Sequence, residues 1–347
     1  MIKFAQIRKY AYQTLGSFLM GMNLMLFSCS SSNEQETEAL PTPQLVFLFS
    51  PGGLGDMSYN DRILEGVQQF KMDYPQVDLY LYSPASLEEA EKIFSDWIQK
   101  PGQHTPALFT LASSDYEPIV EKLLVGKELT SNKKVLLFES SKQYAEGIST
   151  FQISMFGASY LAGITASEIT NQAEKALIVL ANNTDSPIHI AREGFMTGFQ
   201  GTCETTYLAN DWTGYISANL AYRKMKEWGQ QYPFIFPVAG GSNAGIYRYS
   251  REYDSCPYLV GMDIDQSHLS NQITGSVIKH IDRLIYHYLS EWATVGKLPA
   301  SQLYGLESGY VDWVVSPLFQ DALQSLVENH RQTAITQEKA YYEATQP

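Results

Sequence analysis

The residues best suited to ligand chemistry lie in the glycine-rich segment from Pro51 to Asn60, which reads PGGLGDMSYN. Its glycines allow a tight turn and a close approach of the backbone to a bound molecule. Hydrogen-bonding groups and an aromatic ring are added by Asp56, Ser58, Tyr59 and Asn60. An apolar run precedes the segment and a helical pattern follows it, and the first turn of a helix offers unpaired N–H groups. The pattern predicts a ligand-binding turn; the alternative is an ordinary strand-to-helix turn in which Asn60 caps the helix.

Strands and helices alternate along the chain, which is typical of parallel sheets with helices on both faces. The alternation forms two similar halves, and each has a glycine-rich segment after a strand, at Gly52-Gly53 and at Gly240-Gly241. Ligands of open α/β sheets bind beyond the carboxyl ends of the strands. We therefore expect two α/β halves whose facing strand ends enclose a ligand in a cleft that closes by hinge motion.

These elements divide the chain into seven segments. They are a signal peptide (1–28), a lipidated tether (29–43), an N-terminal α/β lobe (44–153), a crossover helix (154–170), a C-terminal α/β lobe (171–266), hinge crossings with a helix (267–316), and a C-terminal helix and tail (317–347). In the sixth segment, the apolar spacing predicts one helix from about Ile273 to Trp292, on which Lys279 would lie. A strand from Gly309 to Val315 then leads to the final helix.

The N-terminus is typical of an exported lipoprotein. Three basic residues in the first nine precede an apolar run from Leu15 to Phe27, which is too short and too interrupted for a good membrane span. The run ends in Leu26-Phe27-Ser28-Cys29, which resembles the bacterial lipobox. We therefore expect Cys29 to be lipidated, with palmitate among its acyl groups, and to anchor the protein in the bacterial cell envelope, at the periplasmic face or the cell surface. A plain signal peptide is the alternative.

Charge and motif content narrow the classes of function. A net charge of −13 with no basic stripe argues against nucleic-acid binding. The sequence contains no Walker A, G-x-G-x-x-G or G-x-S-x-G motif, and no His and Cys cluster that would indicate a metal site or a cofactor. Cys203 and Cys256 precede predicted strands that need not be neighbours, so we slightly favour free thiols over a disulfide.

Three acids lie at the ends of predicted strands, namely Asp56, Glu139 and Asp263. Paired acids can perform acid–base catalysis, but no nucleophile or activated water accompanies these. Recognition is the simpler use, because a carboxylate accepts two hydroxyl hydrogen bonds and so suits a ribose diol or another polyol. We therefore expect a binding protein without catalytic residues. Lys279 is either a contact to a ligand oxygen or a solvated lysine on its helix.

Four segments resemble the basic membrane protein family of bacterial lipoproteins, which are nucleoside-binding substrate-binding proteins of ABC importers. They are GGLGDMSYN at 52–60, YLAG at 160–163, AGGSNAG at 239–245 and VGMDIDQ at 260–266, with a further match over 274–282. Their order and spacing cover nearly all of the chain from Gln44 onward. The resemblance implies a type I periplasmic binding protein fold, in which two Rossmann-like lobes with parallel sheets are joined by hinge strands.

The resemblance also implies a set of ligand-binding residues. Ligand contacts correspond to Asp56, Asn60, Asp263 and Lys279, and Asp263 corresponds to the contact with the ribose hydroxyls. Phe236 corresponds to an aromatic residue against the base, and Glu139 to an acid at the end of the fourth strand. The expected set is completed by Ser58, Tyr59 and Gly240.

The chain departs from the family pattern in the segment at 52–60 and in the helix after it. Gly55 replaces one of two adjacent acids, Met57 replaces a lysine, and Leu64 replaces a residue that is usually aromatic. Tyr59 and Tyr247 are candidate replacements for that ring. The sugar-recognising half is better preserved than the base-recognising half. A nucleoside, with purines favoured, is therefore the leading ligand, and another polyol or a nucleobase-like solute stays open.

These features predict a lipid-anchored solute-binding protein that delivers a nucleoside-like ligand to an ABC permease and its ATPase. One alternative is a surface-exposed sensor or adhesin that keeps the fold with a relic cleft. A nucleoside-cleaving enzyme is less favoured, because the sequence shows no nucleophile, metal ligands or phosphate clamp.

Overall fold

The computed structural model describes residues 42–100, 105–171, 175–253 and 255–345. The predicted signal peptide, Cys29 and almost all of the predicted tether lie outside these ranges. Within them the strands are β1 (Gln44–Phe49), β2 (Asp78–Tyr82), β3 (Ala107–Ala112), β4 (Lys133–Phe138), β5 (Ile148–Ile153), β6 (Lys175–Leu180), β7 (Thr202–Tyr207), β8 (Phe234–Val238), β9 (Tyr258–Asp263), β10 (Ile273–Lys279), β11 (Gln302–Tyr304) and β12 (Val311–Val315). The α-helices are α1 (Tyr59–Asp73), α2 (Leu87–Gln99), α3 (Glu117–Leu124), α4 (Phe156–Ile169), α5 (Ser186–Gly198), α6 (Ala218–Gln231), α7 (Asn243–Glu252), α8 (Ile281–Val295) and α9 (Gln320–Thr345).

The strands form two six-stranded sheets, one in each lobe. The first sheet has the order β11-β5-β4-β3-β1-β2, and all of its neighbouring strands are parallel. The second has the order β12-β10-β9-β8-β6-β7, and it is parallel except for β12, which runs antiparallel to β10. The predicted architecture of two α/β lobes with parallel sheets is confirmed.

The central strands are largely apolar because both faces of each sheet are covered. β3 is buried at every position, and β1 is buried everywhere except at its first residue. On the covering layer, α1 buries Ile63, Val67 and Phe70 at helical spacing and packs against α8. The edge strand β2 is exposed at most of its positions. The buried strands therefore hold their carboxyl ends in fixed places, and these ends carry the site.

The chain passes between the lobes three times. It leaves the first sheet after β5, returns to it from β10 through α8 to β11, and crosses again from β11 to β12. The helix α4, which follows the first crossing, packs against α5 and α9. The predicted crossover helix and the predicted hinge strand near Val311 both lie beside these crossings.

A buried carboxylate from α9 connects two of the crossings. Glu338 Oε1 accepts hydrogen bonds from Ser154 Oγ at 2.6 Å and from Gly157 N at 3.0 Å, and Oε2 accepts one from Leu306 N at 2.8 Å. Burial raises the pKa of Glu338, although these hydrogen bonds oppose the rise. The C-terminal helix therefore supplies the acceptor that holds the hinge segments together.

The prediction of one helix from Ile273 to Trp292 is wrong. Residues 273–279 form β10, and α8 begins only at Ile281. The reason is residue type, because β-branched side chains and a glycine in ITGSVIK favour a strand between two neighbours over a helix. The short strand β11 has no counterpart among the predicted elements.

Cys203 and Cys256 are both free. Cys203 lies in β7, which β6 and β8 separate from β9, the strand that follows Cys256. Among the described helices, none combines the length and apolar character needed to cross a membrane.

Candidate functional site

A cavity of about 290 Å³ lies between the carboxyl ends of the two sheets. Seven of the nine predicted ligand-binding residues line it: Asp56, Tyr59, Asn60, Glu139, Gly240, Asp263 and Lys279. Ser58 contacts the site through Asp263, and Phe236 is not among the lining residues. Residues that the sequence did not predict also line it, notably Ser114, Asp115, Asp185, Trp212 and Tyr215.

Asp56 holds the start of α1. Its Oδ1 accepts hydrogen bonds from the backbone N–H groups of Ser58 at 2.9 Å and Asp61 at 3.2 Å. Its Oδ2 accepts from Asn60 N at 2.9 Å and Asn60 Nδ2 at 3.1 Å. Burial raises the pKa of Asp56, and the backbone hydrogen bonds oppose the rise. Asp56 therefore performs the helix-capping role that the alternative interpretation gave to Asn60, and its oxygens are largely engaged within the turn.

Asn60 lies inside the first turn of α1 and connects it to the end of β1. Its Oδ1 accepts a hydrogen bond from Ser50 N at 3.2 Å, while its Nδ2 donates to Asp56. Asp61 braces the same loop by accepting from Gly55 N at 2.7 Å and Met57 N at 2.8 Å. The glycine-rich turn is thus a preformed wall of the cavity.

Asp263 forms the first contact between the lobes at the cavity. Ser58 Oγ of the first lobe donates a hydrogen bond to Asp263 Oδ2 of the second. Among the described residues no donor reaches the other oxygen, Oδ1. Asp263 therefore offers the cavity a carboxylate oxygen whose position is already fixed.

The two acids that follow β4 and end β9 share an unusual backbone conformation. Glu139 has a φ of 56° and Asp263 a φ of 66°, the left-handed region that non-glycine residues rarely adopt. Such conformations persist where the surrounding structure imposes them, and they concentrate at functional sites. The two lobes therefore each turn an acid toward the cleft with the same local geometry.

Lys279 and Glu139 form the second contact between the lobes. Lys279 Nζ lies 3.0 Å from Glu139 Oε1, both side chains are buried, and Glu139 Oε2 accepts from Ile153 N at 3.1 Å. Lys279 Nζ also lies 5.0 Å from the centre of the Tyr59 ring. Burial lowers the pKa of Lys279, but the charges of Glu139 and Asp263 outweigh it and leave the pKa raised. Lys279 reaches this place from the end of a strand, not from a helix as predicted.

The third contact between the lobes joins residues that were not predicted from the sequence. Ser114 Oγ of the first lobe donates to Asp185 Oδ1 of the second at 2.8 Å, and the Tyr215 hydroxyl donates to Asp185 Oδ2. Asp115 lies beside them, and Ser113 Oγ donates to its Oδ2 at 2.9 Å. Asp115 follows β3 and Asp185 follows β6. Because ligands of such sheets bind beyond the carboxyl ends of the strands, these positions could have been predicted as candidate site residues.

Phe236 is fully buried in the core of the second lobe. Its ring stacks on that of Phe195, with centroids 4.8 Å apart and an angle of 21° between the planes. The rings that line the cavity are instead Tyr59, Trp212 and Tyr215. Gly240 has a φ of 50°, and a Cβ atom there would lie 2.9 Å from Tyr215 Cδ1, so a glycine lets the turn approach that ring.

The groups in this cleft suit the recognition of a polar ligand. Its described lining combines five carboxylates and one ammonium group with aromatic rings and small polar groups. Within the described ranges, no group of three His, Cys, Asp or Glu side chains could hold a metal ion. The arrangement suits a polar ligand that offers hydrogen-bond donors, enclosed by two lobes.

Comparison with known families gives a match over residues 44–344 to the Bmp family, described as ABC transporter substrate-binding protein PnrA-like. Among curated proteins, Basic membrane protein C of Borreliella burgdorferi strain N40 is 20% identical over 316 residues, which cover 85% of this chain and 86% of that protein. Basic membrane protein D of strain JD1 is 23% identical over 289 residues, covering 79% of this chain and 78% of the relative.

Solved structures share the two-lobed fold. A solute-binding protein of an ABC transporter system from Aeropyrum pernix K1 superposes with a TM-score of 0.67 at 17% identity, covering 87% of this chain and 86% of that one. GanP, a glucose-galactose binding protein from Geobacillus stearothermophilus, has a TM-score of 0.57 at 13% identity, covering 79% of this chain and 98% of its own. At these identities the likeness shows the fold alone, and it is that of the type I periplasmic binding proteins, as predicted.

Proposed function

The chain belongs to the Bmp family of PnrA-like ABC transporter substrate-binding proteins, and on that premise we propose that it is a lipid-anchored receptor that captures a nucleoside, with purines favoured, for ABC-type import. Family and fold are those of solute-binding proteins that work with a transporter at the cell envelope. The observation that carries the nucleoside is Asp263, whose Oδ1 is free while Oδ2 is held from the opposite lobe. A carboxylate held in this way accepts hydrogen bonds from a vicinal diol such as that of ribose.

A second polar group in the same cavity, close to Glu139 and Lys279, supports the proposal. The Tyr59 hydroxyl is buried and has no hydrogen-bond partner among the described residues. Burial, together with the charges of Glu139 and Asp263, raises the pKa of Tyr59 well above its usual value, so the hydroxyl stays a donor. A buried donor without a partner costs about 1–3 kcal/mol, which a ligand oxygen would recover.

The base would bind among the aromatic rings that line the cavity. With Phe236 in the core, the rings available are Tyr59, Trp212 and Tyr215. Planar bases stack on such rings, and Asp185 holds the Tyr215 ring in place through its hydroxyl. In this arrangement the ribose would bind beside Asp263, and the base would bind beside Tyr215.

Calorimetric titration tests the ligand. Protein freed of copurified small molecules is titrated with adenosine, guanosine, inosine, uridine and free ribose. We expect heat with at least one purine nucleoside, a loss of at least tenfold in affinity in Asp263→Ala, and no change in the matched control Asp265→Ala, which alters an exposed acid two residues away. Absence of heat with every nucleoside contradicts the nucleoside, and heat with ribose alone reassigns the ligand to a polyol.

The anchor and the transporter are tested separately from the ligand. Cells that express the wild type or Cys29→Ser are labelled with an alkyne analogue of palmitate and fractionated. We expect label and membrane association in the wild type and loss of both in the variant. Equal labelling of the two chains contradicts lipidation at Cys29. Copurification of a permease and an ATPase with the ligand-loaded receptor tests the import partner.

A further inference from the structure

The carboxylates of the cleft outnumber its cations. Of the described residues that line it, five are acids and only Lys279 is a cation. Lys279 is already paired with Glu139. Asp56 is engaged by the start of α1, and among the described residues Asp115, Asp185 and Asp263 form no ion pair, although the charge of Lys279 also acts on Asp185 and Asp263.

Asp115 and Asp185 lie close to each other, and both line the cleft. Asp185 follows β6, and in the sheet β6 is the third strand away from β10, the strand that ends in Lys279. Two hydroxyls satisfy Asp185, but they are neutral donors and leave its charge in place. Asp115 Oδ1 has no donor among the described residues. Burial and, after it, the charge of the Asp185 carboxylate raise the pKa of Asp115 to about 6.

One aromatic ring contacts this pair of acids, and a second lines the same cavity. The Tyr215 hydroxyl bonds Asp185 directly, and Trp212 lines the same cavity from the start of the short helix that contains Tyr215. Aromatic faces attract cations, and acids attract them more strongly in a cleft from which water is excluded. The absence of a metal-binding group within the described ranges leaves an organic cation as the occupant that this chemistry favours.

We propose that the ligand carries a positively charged nitrogen group at the end remote from the ribose, and that Asp115 and Asp185 bind it between the two lobes. The inference rests on the proposed function, since it concerns the same cleft. It narrows the ligand from a neutral nucleoside to one whose base is cationic at neutral pH. Because Ser114 and Asp185 already connect the lobes at this place, such a group would touch both lobes at once.

The test compares a neutral and a cationic nucleoside of similar shape at pH 7.5. Adenosine, 1-methyladenosine (whose base is largely protonated at that pH) and spermidine are titrated into the wild-type protein and into Asp115→Asn, Asp185→Asn and the control Asp265→Asn. We expect 1-methyladenosine to bind the wild type at least tenfold more tightly than adenosine. That preference falls to less than threefold in Asp115→Asn and Asp185→Asn and is unchanged in Asp265→Asn.

The outcomes separate the two proposals. Tight binding of adenosine with no preference for 1-methyladenosine overturns the cationic group and leaves the nucleoside intact. Binding of spermidine alone, lost in Asp115→Asn, supports the cationic group and overturns the nucleoside. Absence of binding by all three probes, or a preference that survives both substitutions, overturns the assignment to Asp115 and Asp185. Circular dichroism of each variant verifies that it is folded.

Discussion

Lys279 Nζ lies 3.0 Å from Glu139 Oε1, so a buried ion pair joins the end of β10 in the second lobe to the end of β4 in the first. We expect Lys279→Met to lower the free energy of unfolding by about 3 kcal/mol, because it leaves a buried carboxylate without its partner. The double variant Lys279→Met with Glu139→Gln should recover most of that loss. Urea unfolding followed by circular dichroism measures both.

The matched control for this pair is Lys92→Met, which removes an exposed ion pair with Asp96. Exposed pairs contribute less than about 1 kcal/mol, so this variant should unfold close to the wild type. Equal losses in Lys279→Met and Lys92→Met would contradict a special role for the buried pair.

The left-handed backbone at Asp263 predicts an order of stability among its variants. Asparagine tolerates this conformation and retains an acceptor for Ser58, whereas alanine tolerates it poorly and accepts nothing. We expect Asp263→Ala to be less stable than Asp263→Asn by roughly 1–2 kcal/mol in thermal unfolding. The same two substitutions at the exposed Asp265 should differ by much less, and an equal difference at both positions would show that the backbone at Asp263 is not responsible.

The hydrogen bonds of Glu338 predict a large loss of stability from a substitution that lies away from the cleft. Asp263 and Lys279 are untouched by Glu338→Ala, yet three donors in the hinge lose their acceptor. We expect a loss of about 2–4 kcal/mol in the free energy of unfolding, since each buried donor left unpaired is costly. Glu328→Ala, on the exposed side of the same helix, should change stability by less than about 0.5 kcal/mol. A Glu338→Ala variant as stable as Glu328→Ala would remove the hinge role.

The raised pKa of Asp115 predicts that the free energy of unfolding depends on pH. Its pKa is raised to about 6 by burial and by Asp185, against a hydrogen bond from Ser113, and Asp211 raises it further. In the unfolded chain Asp115 loses its proton near the usual pKa of about 4, whereas in the folded protein it loses it near pH 6. The contribution of Asp115 to the free energy of unfolding therefore falls as the pH rises from about 4 to about 6 and is constant above. Tyr116 and Tyr215, which also face it, have raised pKa values and stay protonated in this range.

Asp115→Asn should therefore stabilise the ligand-free protein at pH 7.5, by at most about 3 kcal/mol, and the gain should shrink as the pH approaches 4. Urea unfolding at pH 7.5 and pH 4.5 measures the difference. Asp265→Asn is the control and should show no such change between the two conditions. A gain of equal size at both pH values would contradict the assigned cause.

Much of the fold could be predicted because parallel strands buried on both faces appear in the sequence as short apolar runs. The strands β3, β8 and β9 are short and almost entirely buried runs of this kind. A helix was wrongly predicted over residues 273–279 because a short apolar run next to an amphipathic helix fits the spacing of a strand and that of a helix equally well. Only pairing with β9 and β12 decides for the strand.

The candidate site was predictable where a residue lies directly at a strand end and less so elsewhere. Asp263 and Glu139 are of the first kind. Asp115 and Asp185 follow their strands by several residues, and their approach depends on the two lobes meeting, which no local pattern encodes. Phe236 illustrates a further limit, because it lies in the middle of the fully buried strand β8, whereas the cavity is lined only from the end of that strand, at Val238.

The position of Glu338 in the chain has a consequence for the order in which the protein is assembled. Glu338 follows every described strand of both sheets, so a growing chain holds all of its strands before the hinge acquires this acceptor. Until then the donors at Ser154, Gly157 and Leu306 have only water to bond. A chain that is cut or stops before residue 338 would still contain every described strand of both sheets, but its two hinge segments would lack the acceptor that joins them.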